Sequence, residues 1–249
     1  MRIKINFTRN TSSFPIRNQS ILNSYIHKCL GTNNKYHNAK SNYSISQIYG
    51  GQLNSDKETM SFEGGGYIVV SSQDIEFVNA VLIGVLNNQK FVSGMRFSGI
   101  EHITEQFCDG WNHFATLSPF LLKEYVTKGK YTYVTLNDPS FSQKIKTHLI
   151  NKLSKIDPTL DLSYFDVRVP VHAGHKVKTV MVKNVANKAN QCHVSIHCRK
   201  KIAEIIYNIG LGQSTGSGFG TIYKTENHRL YKNINENKTK IIAKTLQEA

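Results

Sequence analysis

The chain has 249 residues, 39% hydrophobic and 10% aromatic, enough apolar surface for one large domain or two of about 100–125 residues, and this composition excludes a disordered chain. Thirty-one Lys and Arg against 17 Asp and Glu leave a formal charge of +14, which favours a polyanionic partner, nucleic acid ahead of an anionic membrane surface, with a general enrichment in Lys and Asn as the bland alternative. No stretch approaches the ~18 consecutive apolar residues of a spanning helix, and the alternating start lacks the apolar block of a signal peptide, so a cytoplasmic protein without a membrane partner is expected.

Taken in chain order, Ile3, Ile5 and Phe7 alternate with Lys4, Asn6 and Thr8 and predict a strand. Pro15 breaks the chain. A helix follows from about Asn18 to Leu30, its buried face built from Ile21, Leu22, Tyr25, Ile26, Cys29 and Leu30, and Gly31 is a natural stop. Asn33–Ser41 reads as a polar loop. Strands are expected at Tyr43–Ile48 and Gly66–Ser71, a helix at Gln73–Leu86 and a strand at Phe97–Ile103, which together make the β-α-β-β-α-β order of a ferredoxin-like unit.

The same order then recurs without any repeat in the sequence itself. His113–Val126 is strand-like around Pro119. Ser140–Ile156 is a helix with Ile145, Leu149, Leu153 and Ile156 on one stripe. Asp161–Val171, Lys176–Lys183 and Gln191–Cys198 are strand candidates, Lys200–Ile209 is a short helix, and Gly218–Thr225 is a final strand. The fold class is therefore α+β, two tandem ferredoxin-like (RRM-like) domains over 1–110 and 111–225, followed by a basic tail, 226–249, that forms a loose helix or stays unstructured.

Four cysteines, Cys29, Cys108, Cys192 and Cys198, show no CxxC spacing and should be reduced in a cytosol. The run Cys192-His193-Val194-Ser195-Ile196-His197-Cys198 suggests zinc only superficially. In a strand its cysteines and its histidines fall on opposite faces, and ligands divided in that way cannot close one tetrahedral site, so no metal is expected.

Gly210–Gly220 places five glycines in eleven residues. A Walker loop needs a Gly-Lys-Ser/Thr ending, and no lysine lies in the segment. A dinucleotide fingerprint begun at Gly210 needs glycine where Thr215 stands. Both motifs also run strand, loop, helix, whereas here the helix precedes and the strand follows, so a phosphate would meet the wrong helix end. What remains is a connection whose exposed amides could hold a phosphodiester, or a plain flexible loop between helix and strand.

The segment Tyr207-Asn-Ile-Gly-Leu-Gly-Gln-Ser-Thr-Gly-Ser-Gly-Phe-Gly220 resembles the C-terminal glycine-rich motif of the CRISPR-associated endoribonucleases that process repeat RNA, members of the repeat-associated mysterious protein superfamily. The start is similar as well, with Met1-Arg-Ile-Lys-Ile, a proline, then a helix bearing Tyr25-Ile26-His27. Ala115-Thr-Leu-Ser-Pro119 resembles the family's lead-in to its second domain. The resemblance implies two ferredoxin-like domains and metal-independent cleavage of precursor guide RNA without a cofactor. The ribose 2′-hydroxyl attacks the adjacent phosphate, leaving a 2′,3′-cyclic phosphate, or a 3′-phosphate after it opens, and a 5′-hydroxyl. The implied partners are CRISPR repeat RNA and, in an effector complex, further subunits; a homodimer is open.

Such a reaction needs a base for the 2′-hydroxyl, an acid for the departing 5′-oxygen and a cation for the phosphate, roles that suit histidine twice and lysine once. By the resemblance, catalytic groups cluster on the first helix and the loop after it. His27 sits on the polar face of that helix, His37 in the loop Tyr36-His37-Asn38-Ala39-Lys40, and Lys40 is the candidate phosphate partner. Tyr25 faces the apolar side and packs by default, and Tyr36 is a candidate for base stacking. RNA contacts are expected from Gly212, Gly216, Gly218, Phe219 and Gly220, and from Lys176, Lys178, Arg199 and Lys200 within a wider set of Arg168, Lys183, Lys188 and Lys201. Two alternatives stay open: a non-catalytic RNA-binding scaffold of the same fold, and a two-histidine cyclic phosphoesterase using His102-Ile-Thr104 and His193-Val-Ser195.

Overall fold

The alternation at the N-terminus produces strand β1 (Arg2–Phe7), which buries Ile3, Ile5 and Phe7. The computed structural model describes residues 1–31, 34–36, 41–127, 130–170, 174–182 and 184–225. After β2 (Phe14–Pro15) come helix α1 (Gln19–Leu30), β3 (Tyr43–Ile45), β4 (Gln52–Leu53), β5 (Thr59–Ser61), β6 (Gly66–Ser72), α2 (Ile75–Asn87) and β7 (Phe97–His102). The main sheet is antiparallel in the order β3-β6-β1-β7, with Ile3 opposite Val70 and Ile5 opposite Ile68. That register puts Ile3, Ile5, Ile68 and Val70 on the face covered by α1 and α2, whose Leu22, Ile26, Phe77, Val78 and Val81 complete one core. Asp74 caps α2, its carboxylate accepting from the Glu76 amide at 2.9 Å. The short strands form a separate sheet, β2-β5-β4.

The second half repeats the plan with β8 (Gly110–Thr116), a hairpin β9 (Lys123–Thr127) and β10 (Lys130–Tyr133), α3 (Phe141–Ile156), β11 (Asp166–Arg168), a hairpin β12 (Lys176–Val182) and β13 (Val185–Gln191), β14 (His193–Cys198), α4 (Lys200–Ile209) and β15 (Ile222–Lys224). The sheet order β11-β14-β8-β15 matches the order of the first sheet position for position. The fold is thus α+β, with two tandem ferredoxin-like sheets, the first ending at His102 and the second beginning at Gly110.

Several strands are shorter than their sequence pattern. The span 113–126 divides because Pro119 offers no amide, and Leu117 and Ser118 donate instead to the Thr221 carbonyl. Asp161 is drawn into a turn in which its carboxylate accepts from Ser163, so β11 starts only at Asp166. Cys192 separates β13 from β14, and Lys176–Val182 pairs with β13 in a hairpin apart from the main sheet. Lys183, the end of Asp161–Val171 and the tail 226–249 lie outside the described residues.

The two halves meet where α4 ends. A helix leaves its last carbonyls without partners of its own, and here they are buried. The Ile206 carbonyl keeps a helical bond from the Gly210 cap amide at 2.8 Å, and the three beyond it take outside donors: Tyr207 O from the Arg2 guanidinium at 2.9 Å, Asn208 O from the Ser71 hydroxyl at 2.9 Å, and Ile209 O from Lys152 Nζ at 3.1 Å. Arg2, only 2% exposed, also donates to the Ile222 carbonyl and lies 4.0 Å over the Tyr207 ring. Burial lowers its pKa to about 10, and it stays cationic at neutral pH, facing the negative end of the α4 dipole. Arg2→Met removes a fork that serves two buried carbonyls and should lower stability by about 3–5 kcal/mol. Arg2→Lys should recover only part of it, because an ammonium lacks the planar fork. Urea unfolding of the three proteins checks this; equal stability of wild type and Arg2→Met would contradict the role.

Candidate functional site

Past α4 the chain turns through Gly210, Gly212, Gly218 and Gly220, all at positive φ, with a short 3₁₀ turn at Thr215–Ser217. These angles let the backbone reverse twice and press against both halves. A β-carbon at Gly216 would lie 2.5 Å from the Tyr43 ring and 2.6 Å from Ser41 Oγ, and one at Gly212 would collide with the Leu121 carbonyl oxygen. Gly218 packs on the Gln19 side chain and Gly220 on the Leu211 carbonyl. Thr215 donates to the Tyr43 carbonyl at 2.7 Å, and the Ser44 and Thr221 hydroxyls pair at 2.6 Å.

This corrects the expectation of exposed amides. Gly212, Gly216, Gly218, Phe219 and Gly220 are all buried, Phe219 against Leu121 and Ala189, and solvent reaches the segment chiefly at Ser214. The reason is steric: positive φ directs the glycine α-carbons into neighbouring backbone, and the close approach that glycine permits is taken up by protein.

The same seam receives α1. Gln19, Asn23 and His27 are spaced by four and share one stripe of the helix. Gln19 donates to Asn23 Oδ1 at 3.1 Å and touches Gly218, so the half-buried His27 stands on the stripe that meets the glycine segment. Tyr25 faces the core instead, its hydroxyl donating to the Asn88 carbonyl at 3.0 Å, and burial raises its pKa. Tyr36 is also committed to packing: its ring is edge-on to Phe77 at 4.9 Å and its hydroxyl donates to Asp74 at 2.8 Å. His37 and Lys40 lie outside the described residues; Ser41, the residue after Lys40 in the chain, is against Gly216.

The expected cations separate into two groups. Arg199 approaches Asp109 at 4.0 Å and Asp161 at 3.8 Å and lies 5.6 Å over the Tyr164 ring, while Lys200 approaches Glu204 at 4.0 Å. Lys176 and Lys178, on the β12 hairpin, have no ion-pair partner among the described residues, and burial together with Lys176 lowers the Lys178 pKa. The His102 and His193 motifs stand on different sheets, at the end of β7 and the start of β14. Cys192 and Cys198 face the second core, whereas His197 turns outward to bond the Tyr164 carbonyl at 2.9 Å, and no group of three potential ligands among the described residues could hold a metal.

Two residues beneath the segment escaped the sequence reading. Lys152 aims its ammonium at the Ile209, Gly210 and Gly212 carbonyls at 3.1, 3.4 and 3.5 Å, and His148 bonds the backbone at Gly212. Their signal was available: both stand within one turn of Leu149, beside the apolar stripe of α3. Burial lowers the His148 pKa and brings that of Lys152 down to about 7.

A pKa below its unfolded value means that the unfolded chain holds the proton more tightly, so this lysine destabilises the fold when charged and the penalty fades as pH rises from about 7 towards 10.5. Wild type should therefore gain stability relative to Lys152→Met across that window, by no more than about 1.4 kcal/mol per pH unit. Paired melting curves at pH 7 and pH 9 would show it, and a pH-independent difference would contradict it. Separately, Gly212→Ala should cost at least about 1–3 kcal/mol through strain at positive φ, while Gly64→Ala, where a β-carbon meets open space, should stay within about 0.5 kcal/mol of wild type. Chemical denaturation measures both.

Residues 104–223 match the family profile described as CRISPR associated protein Cas6, C-terminal. Solved structures share the architecture of the whole chain. One described as "CRISPR associated protein Cas6" superposes with TM-score 0.73 at 20% identity, covering 91% of this chain and 99% of the other. One described as "Characterization of a Cas6-related gene from Pyrococcus furiosus" gives TM-score 0.79 at 19% identity over 92% and 99%. A third, described as "An RAMP protein binding different RNA substrates", gives 0.79 at 20% over 91% and 100%. At these identities the likeness establishes the fold. A comparison with curated proteins finds no match.

Proposed function

From the premise that residues 104–223 carry the C-terminal domain of the Cas6 family, we propose that this chain binds CRISPR repeat RNA and cleaves precursor guide RNA by attack of a ribose 2′-hydroxyl on the adjacent phosphate. The observation that carries the reading is the stitching of the glycine segment onto the first half, with Gly216 against Ser41 and Tyr43 and Gly218 against Gln19. This brings the glycine segment to Ser41, which follows Lys40 in sequence, and to the helix stripe that bears His27.

In this reading His37 and His27 share the acid and base roles, and Lys40 offsets the charge that builds on the phosphate. Lys176 and Lys178 hold the RNA backbone without reading its sequence. Metal independence follows from the family resemblance, and the products are a 2′,3′-cyclic phosphate, or a 3′-phosphate, and a 5′-hydroxyl. No helix among the described residues is long and apolar enough to cross a membrane, in keeping with an aqueous RNA substrate.

The test is labelled repeat RNA incubated with the protein in EDTA, with and without a 2′-deoxy substitution at the cut site. Cleavage should persist in EDTA and vanish with the deoxy substrate. His37→Ala should abolish cutting and leave binding nearly intact, and His27→Ala should slow cutting by about 10²–10⁴-fold. Tight binding without cleavage by wild type would instead identify a scaffold subunit, and full activity in His37→Ala would refute the assigned site.

A further inference from the structure

Between the β12 hairpin and the start of α1 lies a pocket of about 490 Å³, lined in part by Arg17, Gln19, Lys57 and Lys178, within the usual size range of ligand pockets. Three cations converge on it from three separate segments: the connection before α1, the β4–β5 turn and the hairpin. None of the three has an ion-pair partner among the described residues, in contrast to Lys4, Lys35, Lys144, Lys146 and Lys201, each of which meets a carboxylate. Lys57 stands at φ 56, a conformation that non-glycine residues seldom adopt. Of the two carboxylates adjacent in sequence, Asp56 is occupied by the amides of Glu58 and Thr59 and by the Thr59 hydroxyl, and Glu58 forms no ion pair among the described residues.

The rest of the lining is of another kind. Met60, Val180 and Met181 provide an apolar wall. Gln19, 4% exposed, spends its amide nitrogen on Asn23, and its Oε1 is a buried acceptor without a partner among the described residues. The first turn of α1 contains no acidic residue, so nothing there repels an anion.

We propose that this pocket is a nucleotide subsite for the bound RNA strand, with one phosphodiester held among Arg17, Lys57 and Lys178 and the base against Met60, Val180 and Met181. The subsite rests on the reading of the chain as an RNA-binding protein. It lies at the opposite end of α1 from His27, about 12 Å of helix away, so it anchors the strand at a distance from the cut. Gln19 touches Gly218, which ties occupancy of the pocket to the glycine segment.

Anisotropy titrations of labelled repeat RNA and of a labelled oligouridylate of equal length, between about 50 and 200 mM salt, test it. The double variant Arg17→Ala/Lys178→Ala should bind both probes at least about tenfold more weakly and lower the slope of log affinity against log salt by about 1–2, with its melting temperature unchanged. Lys155→Ala, an exposed lysine on α3, should change neither. Crosslinking of 4-thiouridine RNA to the wild-type protein should yield adducts on the peptides spanning residues 16–19 or 176–182. If wild type binds both probes, and the double variant keeps its affinity and slope with no adduct on those peptides, the subsite is overturned together with the backbone contact assigned to Lys178, while the RNA-binding reading stands. If wild type binds neither probe, the RNA-binding reading falls and takes the subsite with it.

Discussion

Everything in this fold turns on how the C-terminal end of α4 is buried. Three consecutive carbonyls with no helical partner, those of Tyr207, Asn208 and Ile209, would be costly inside a protein, and each finds a donor from a different place: Arg2, Ser71 and Lys152. Two of these donors belong to the first sheet and one to α3. The two ferredoxin-like halves are therefore joined by polar bonds to one helix end as well as by apolar contact. The arrangement is directional, because the Arg2 cation faces the negative end of the helix dipole.

The glycine segment continues from that anchored end and inherits its position. Its positive φ angles let it fold back against Leu121 and Tyr43, so a stretch that looks like an open loop becomes the seam between the halves. The cost falls on accessibility, since most of the segment is covered. The gain is placement: Ser41, Tyr43 and Gln19, which flank the polar loop and begin the first helix, are all in contact with it. Chemistry that draws on both halves depends on that placement, while Lys176 and Lys178 stand on the β12 hairpin without an ion-pair partner among the described residues.

Much of the architecture was legible residue by residue. The alternation of Ile3, Ile5 and Phe7, the stripes of the four helices and the recurrence of one element order each follow from local geometry, because a strand exposes every second residue to one face and a helix every third or fourth. The places where the pattern misleads have local causes, such as the missing amide of Pro119 and the Asp161 turn. Of the candidate site, the stripe position of His27 was readable from spacing. The burial of the glycines was not, because glycine signals conformational freedom without saying whether water or protein fills the space beside it.

The division follows from the range of the forces involved. Charge balance, periodicity and the order helix, glycines, strand are properties of neighbours along the chain, and by themselves they determined a basic α+β protein with two similar halves and excluded the nucleotide-binding loops. Only tertiary structure decided that Arg2 and Lys152 serve one helix end, that Arg199 and Lys200 approach carboxylates while Lys178 meets none among the described residues, and that Arg17, Lys57 and Lys178 line one pocket. These are contacts between residues up to about two hundred positions apart. The partner of a charge, and whether it has one, is set by which surfaces pack together.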